Sequence, residues 1–259
     1  MQDYYNQQPD GTFVLEGMND GVNRYIAKVF GWMFLGLIVT ALTTGILVHF
    51  VASFDALIDF LFSSIHMFFI VFLGQIILVH AINSRVSSMG TGLAKILYII
   101  YAITNGFTVG VIVAIYAMYI IGIATVAMAF AITAISFGVM AIYGYATKSD
   151  ITRFSNLFIM GLVGVILASV ANIFMGNSML DFAICVVGLL IFLGLVAVDT
   201  NKIKNHFAYH ALNSYNQDGT INEEQYALAS NLAIVGALML YLDFINMFLF
   251  ILRLFSRRR

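Results

Sequence analysis

The sequence predicts an all-α integral membrane protein, a bundle of seven membrane-spanning helices. Three observations carry that prediction. Of 259 residues, 61% are hydrophobic and only 10% are charged, with a mean hydropathy of +0.95. A soluble domain carries about 25% charged residues, so a water-facing surface cannot be built from this chain. The apolar residues fall into seven runs, at about 27–50, 61–82, 94–116, 119–146, 156–175, 179–199 and 228–252. Each is close to the ~20 residues needed to cross ~30 Å of hydrocarbon. Finally, the loops between the runs alternate between basic and base-free.

The runs are too long for barrel strands and lack their alternating period, so helix is the conformation that satisfies the backbone in lipid. Connections are mostly short, which makes successive helices antiparallel neighbours. The break between the third and fourth runs is barely polar (AIYAMYI). Residues 1–23 form a polar N-terminal tail, expected to be flexible and without the basic start and apolar core of a cleavable signal peptide. The transmembrane domain then covers 24–255, and 256–259 is a basic C-terminal tail.

Lysine and arginine orient the bundle. Arg24 and Lys28 open the first helix, and the 51–60 loop has Asp55 and Asp59 but no base. Arg85 and Lys95 flank the next turn, and the turn near 117 is uncharged. Lys148 and Arg153 lie in the following loop, none in the 175–180 turn, and Lys202 and Lys204 in the loop after that. The N-terminus is therefore expected in the cytoplasm. The C-terminus departs from the pattern, because seven crossings leave Arg253 and the SRRR tail outside. Either the last segment crosses against its charge bias, with arginines snorkelling to headgroups, or it re-enters. Its apolar run of 25 residues exceeds the bilayer thickness, which favours crossing.

The net charge of −1 and the absence of a basic stripe give no reason to expect nucleic acid. The single cysteine, Cys185, excludes an intramolecular disulfide and reads as a small packing residue. No cofactor is expected. His206 and His210, four apart, have no acid at ligand spacing and make a poor metal pair. The loop SYNQDGTINEEQ at 214–225 has an EF-hand-like centre, but Ser214 and Gln225 stand at its first and last ligand positions. It reads better as an Asp-Gly turn, with Thr220 and Glu223 capping the next helix.

The chemistry lies in two acids. Asp243 sits in the middle of LMLYLDFINMFLFILRLF. A carboxylate there costs about 2.5–3.5 kcal/mol on insertion scales and commonly faces a bundle interior, a cavity or a partner. Asp199 ends the preceding apolar run, LLIFLGLVAVDTNKIK. Gly188, eleven residues before Asp199, and Gly236, seven before Asp243, return to nearly the same helix faces and would let the two helices approach. Asn246, one turn beyond Asp243, could donate to it or bind an ion. Gln75, Asn105 and other isolated polar residues suit interhelical hydrogen bonds.

If the two carboxylates meet, they cannot easily both ionise, and they exchange protons as a unit. A shared proton holds the helices together. Losing it leaves two like charges, relieved by separation or by entry of a cation. That describes a pH-gated cation path through Asp199 and Asp243. A divalent cation gains most from two carboxylates, and calcium prefers oxygen ligands; the residues alone do not choose between calcium, protons and another ion.

VDTNKIKNH at 198–206, YLDFINMFLFILRLF at 241–255 and NGFT at 105–108 resemble the Bax-inhibitor family, also called the transmembrane Bax-inhibitor-motif family, over about residues 24–255. The resemblance implies a seven-helix bundle with the last helix central. It also implies a pH-sensitive calcium leak controlled by an aspartate pair, here Asp199 and Asp243, with calcium as the transported ion. It implies a closed-state arginine partner at the cytoplasmic end of the second helix, for which Arg85 is the nearest match. Some members carry an acid in the second helix where this chain has Gln75. Many have a proline in the third helix, whereas the only proline here is Pro9. The compact length and simple tail point to the inner (plasma) membrane of a bacterium. The resemblance also suggests an interaction protein that modulates a membrane protease or cell-death machinery. An intramembrane aspartyl protease would use two aspartates as well, but the Gly-x-Gly-Asp pattern such enzymes carry precedes neither acid, so no enzyme is expected.

Overall fold

A computed structural model of the chain describes residues 12–53, 65–86, 88–207 and 223–257. Among them are seven long helices and no strand. They are α1 (Thr12–Ser53), α2 (Ile65–Ser84), α3 (Thr91–Ile115), α4 (Ile123–Ala146), α5 (Ser155–Met175), α6 (Ser178–Lys202) and α7 (Glu223–Ser256). Six are long and apolar enough to cross a membrane, and α2 contributes a shorter apolar stretch, Phe69–Ser84. The chain is a multi-pass membrane protein. α1 begins at Thr12, inside the segment read as the N-terminal tail, although its apolar span starts at Gly21. Residues 1–11, His210, and the 214–222 part of the EF-hand-like loop lie outside the described residues.

The third and fourth helices separate later than the sequence suggested. α3 ends at Ile115 and runs into a wide π-helical turn, Tyr116–Ile120. The break comes at Gly122, whose φ of 81° is left-handed territory that only glycine enters freely. The π turn satisfies the backbone without polar side chains, so the break leaves little mark in the sequence. The α5–α6 turn works differently. Gly176 takes φ 59°, and Asn177 caps α6 by accepting from the Met179 and Leu180 amides at 2.9 and 3.1 Å.

α7 is the centre of the bundle. It packs on α6, α1, α4, α3 and α2, and 72% of its most apolar window is buried, against 11% for α5. Ala233, Ala237, Leu238, Leu240, Tyr241, Met247 and Leu252 are fully buried, so the helix is covered on every side. The outer helices present apolar stripes instead. Phe34, Ile38, Leu42 and Ile46 recur every fourth residue of α1 and are all exposed, as a lipid-facing surface requires. Aromatic edges knit α7 to its neighbours. Tyr241 stands edge-on to Tyr98 and Tyr101, and Phe244 to Phe130 and Phe137. The Tyr241 hydroxyl also meets Thr40 Oγ1 at 2.6 Å.

The two ends of α7 resolve the C-terminal ambiguity. At its start, the Tyr25 hydroxyl donates to the Ala229 carbonyl at 3.2 Å, and Asn231 Nδ2 donates to the Val86 and Met89 carbonyls at 3.0 and 2.6 Å. These partners all belong to the basic end of the bundle. At its finish, Arg253 and Arg257 both pair with Asp181 in the first turn of α6, the latter at 3.4 Å, and Arg257 also donates to the Ser178 carbonyl. That end belongs to the base-free turn. The last helix therefore passes from one end of the bundle to the other, and Asp181 offsets the arginine charge that opposes this orientation. A reporter fused after the C-terminus is expected to emerge on the side opposite the 147–154 loop. Alkaline phosphatase activity there, with cytoplasmic fluorescence from a reporter at the N-terminus, is the expected pattern. Both reporters on one side would contradict it.

Candidate functional site: two acids on neighbouring helices

α6 does not end where its apolar run ends. The helix continues through Thr200, Asn201 and Lys202 and into a second π turn, Ile203–Phe207. Asp199 is thus held inside a helix and is only partly exposed. The polar run TNKIKN, which resembles a solvated loop, is folded onto the protein. Asn201 is fully buried. Its Nδ2 donates to the Gly144 carbonyl at 3.2 Å and the Ser149 carbonyl at 3.4 Å. Its Oδ1 accepts from the Ile151 amide at 3.3 Å and from Asn205 Nδ2 at 3.1 Å. Lys204 Nζ donates to the carbonyls of Tyr145 and Thr147 at 2.8 and 3.2 Å, closing the C-terminal end of α4. The segment after Asp199 therefore fastens the α4–α5 loop.

Asn201→Ala would strand the Gly144 carbonyl and the Ile151 amide together. The expected loss is about 1–3 kcal/mol, the cost of leaving buried polar groups unpaired. It should read as a lower melting temperature in detergent, and an unchanged melt would remove Asn201 as the fastener.

Asp243 lies on α7 with 5% of its surface exposed. Its Oδ2 is fully buried and has no hydrogen-bond partner. Buried polar atoms are nearly always paired, so an orphaned carboxylate oxygen at the centre of a helix bundle calls for an occupant or a proton. The helices that carry the acids approach closely through the expected glycines. A Cβ on Gly188 would run into the Phe250 ring of α7, and one on Gly236 would lie 3.1 Å from Ile203 Cγ1 and 3.3 Å from Val29 Cγ1. On the other side of α6, Gly144 of α4 rests against the Ala197 backbone, two residues before Asp199. Neither Gly144 nor Asn201 is conspicuous in the sequence. Thr200, beside Asp199, also has a buried hydroxyl oxygen without a partner.

The other expected residues form a second group. Gln75, Asn105 and Asn246 line a cavity of about 550 Å³ between α2, α3 and α7. Arg85 belongs to neither group. It sits in the turn after α2, exposed, and forms no ion pair with either aspartate. Among the described residues there is no cluster of three or more His, Cys, Asp or Glu that could hold a metal. Calcium takes six to eight oxygens. Two carboxylates supply at most four of them.

A family model described as inhibitor of apoptosis-promoting Bax1 matches residues 22–259. Inner membrane protein YbhL of Escherichia coli (strain K12) is 34% identical over 239 residues, spanning 92% of this chain and 94% of the relative. An uncharacterized protein of Borreliella burgdorferi is 34% identical over 237 residues, with 92% and 93% covered. Uncharacterized protein RP147 of Rickettsia prowazekii is 33% identical over 249 residues, with 93% and 92% covered.

Proposed function

The chain belongs to the family of inhibitors of apoptosis-promoting Bax1, and from that premise we propose that it is a pH-sensitive calcium leak gated by Asp199 and Asp243. One observation carries the reading: the unpartnered, fully buried Oδ2 of Asp243 on the central helix, which packs against the helix that carries Asp199. With one proton between them, the acids tolerate burial and α6 stays packed on α7. When the proton leaves, two negative charges share a poorly solvated place. A cation entering from water relieves them, and calcium, a hard ion with oxygen ligands, gains most. Protons are thus the regulator and calcium the cargo.

The basic loops set the N-terminus in the cytoplasm, and the relative named as an inner membrane protein supports the same membrane for this chain. The test is calcium flux in proteoliposomes followed against pH. Flux above that of empty vesicles, rising as protons are removed, is the expected result. No flux at any pH would sink the reading.

A further inference from the structure

We propose that the cavity between α2, α3 and α7 holds one acyl chain of a phospholipid from the leaflet at the basic end of the bundle, with the lipid phosphate outside it at the end of α2. The site stands apart from the two acids and does not rest on the leak reading.

Phe72, Ile76 and Val79 of α2, Ile112 of α3, and Leu242 and Leu249 of α7 make the lining mostly apolar. Its amides are engaged within the wall. Gln75 Nε2 donates to Thr108 Oγ1 at 3.1 Å, and Asn105 Nδ2 donates to the Tyr101 hydroxyl oxygen at 3.0 Å. Asn105 Oδ1 is fully buried, so little of that polarity reaches the open space. Walls of this kind suit hydrocarbon better than water. Hydrocarbon also has a way in. Phe72 and Ile76 are each 51% exposed, and their neighbours Leu73 and Ile77 are exposed as well. The cavity is thus continuous with the lipid-facing surface of α2.

Its depth matches one leaflet. On α2 the lining runs from Phe72 to Asn83, a rise of about 16 Å at ~1.5 Å per residue. Half of a ~30 Å hydrocarbon core is ~15 Å. The shallow end is polar. His80 and Asn83 line it and are exposed, and Arg85 follows in the turn as the first charged residue after the apolar stretch of α2. An imidazole, an amide and a guanidinium at this level suit the ester and phosphate oxygens of a lipid. The deep end closes on Phe72, Ile112 and Leu249. Volume then decides between a lipid chain and a helix from a second copy. A helix about 10 Å across and 16 Å long fills roughly 1,250 Å³, more than twice the cavity of about 550 Å³. An acyl chain is far more slender. Once in place it seats α2 against α7, since α2 packs chiefly on α3 and only sparsely on α7.

The test uses the full chain in vesicles of phosphatidylethanolamine and phosphatidylglycerol, doped with phosphatidylglycerol carrying a photoactivatable diazirine on one acyl chain. Lipid around the bundle labels the exposed helix α5 whatever the cavity holds. Label on α7 between Leu242 and Leu249 has to come through the cavity. A diazirine at the chain end is expected on Leu249, and one near the ester on Leu242. Labelled α5 with unlabelled α7 overturns the site, and the reverse order along α7 overturns the choice of leaflet. Val79→Phe puts a ring into the cavity and is expected to remove the α7 label while α5 stays labelled. An α7 label undiminished in that variant also overturns the site. A second measurement follows melting of delipidated protein in detergent. Phosphatidylglycerol at ten times its Kd is expected to raise the native melting temperature by roughly 3–6 °C, and that of Val79→Phe far less. An equal rise in both places the lipid outside the cavity and overturns the proposal.

Discussion

Asp243→Asn is expected to make calcium flux independent of pH. Asparagine keeps the shape of a protonated aspartate and its hydrogen-bonding capacity, so the buried site on α7 stays filled. It cannot ionise, so the event that separates α6 from α7 is lost. If one proton leaves per opening, the open population of the native protein changes by at most about tenfold per pH unit, rising as protons are removed. In Asp243→Asn that slope falls to zero, with flux held at its closed, low-pH level. Asp199→Asn should do the same, because the proton belongs to the pair and not to either residue. The double variant should then lose nothing further, since residues that act as one unit are not additive. Proteoliposomes loaded with a calcium indicator read all three. A pH slope that survives in Asp243→Asn would disprove the gate, and additive losses in the double variant would argue for two separate sensors.

The two acids stand out in the sequence because a carboxylate in hydrocarbon is expensive and therefore conspicuous. Asp243 stands out in its apolar run for that reason, and Gly188 and Gly236 follow from helical spacing. The crossings were legible by length, which the bilayer dictates. Less could be read where polarity and position part company. TNKIKN after Asp199 has the composition of a solvated loop, yet Asn201 is fully buried, and three of its hydrogen bonds are met by backbone groups fifty or more positions away. The break at Gly122 is silent because a π turn and one left-handed glycine need no polar residue. The cavity could not be read at all. Gln75, Asn105 and Asn246 each look like interhelical hydrogen-bonding residues, and their common wall exists only once three helices pack. The C-terminal arginines run against the charge rule in the sequence, and only packing brings Asp181 beside them.

Gly144→Ala should destabilise the protein strongly, while Gly138→Ala on the same helix should not. The contrast follows from what each new methyl would meet. At Gly138 there is nothing within 4 Å, and alanine in a helix is worth about 0.5–1 kcal/mol over glycine. At Gly144 the added Cβ would stand 2.9 Å from both the carbonyl carbon and the Cα of Ala197, and nearer still to its carbonyl oxygen. All three are backbone atoms and cannot rotate away, so α4 and α6 must part. Overpacking of this kind costs about 1–3 kcal/mol. The parting also stretches the hydrogen bond from Asn201 to the Gly144 carbonyl, already 3.2 Å, a further loss of about 1 kcal/mol. The sum, about 2–4 kcal/mol, corresponds to a melting temperature lower by roughly 5–15 °C for a chain of this size. The protein carries its own probe for the measurement. Cys185 is the single cysteine and is fully buried on α6, so a thiol-reactive dye reports unfolding as it becomes accessible. Equal melting of Gly144→Ala and the native protein would mean that α4 yields more readily than its contact with Ala197 implies. Ala197 lies two residues before Asp199, so the same displacement moves the acid relative to Asp243. Gly144→Ala protein held below its melting temperature should therefore also show a shifted midpoint in flux against pH, which Gly138→Ala should not.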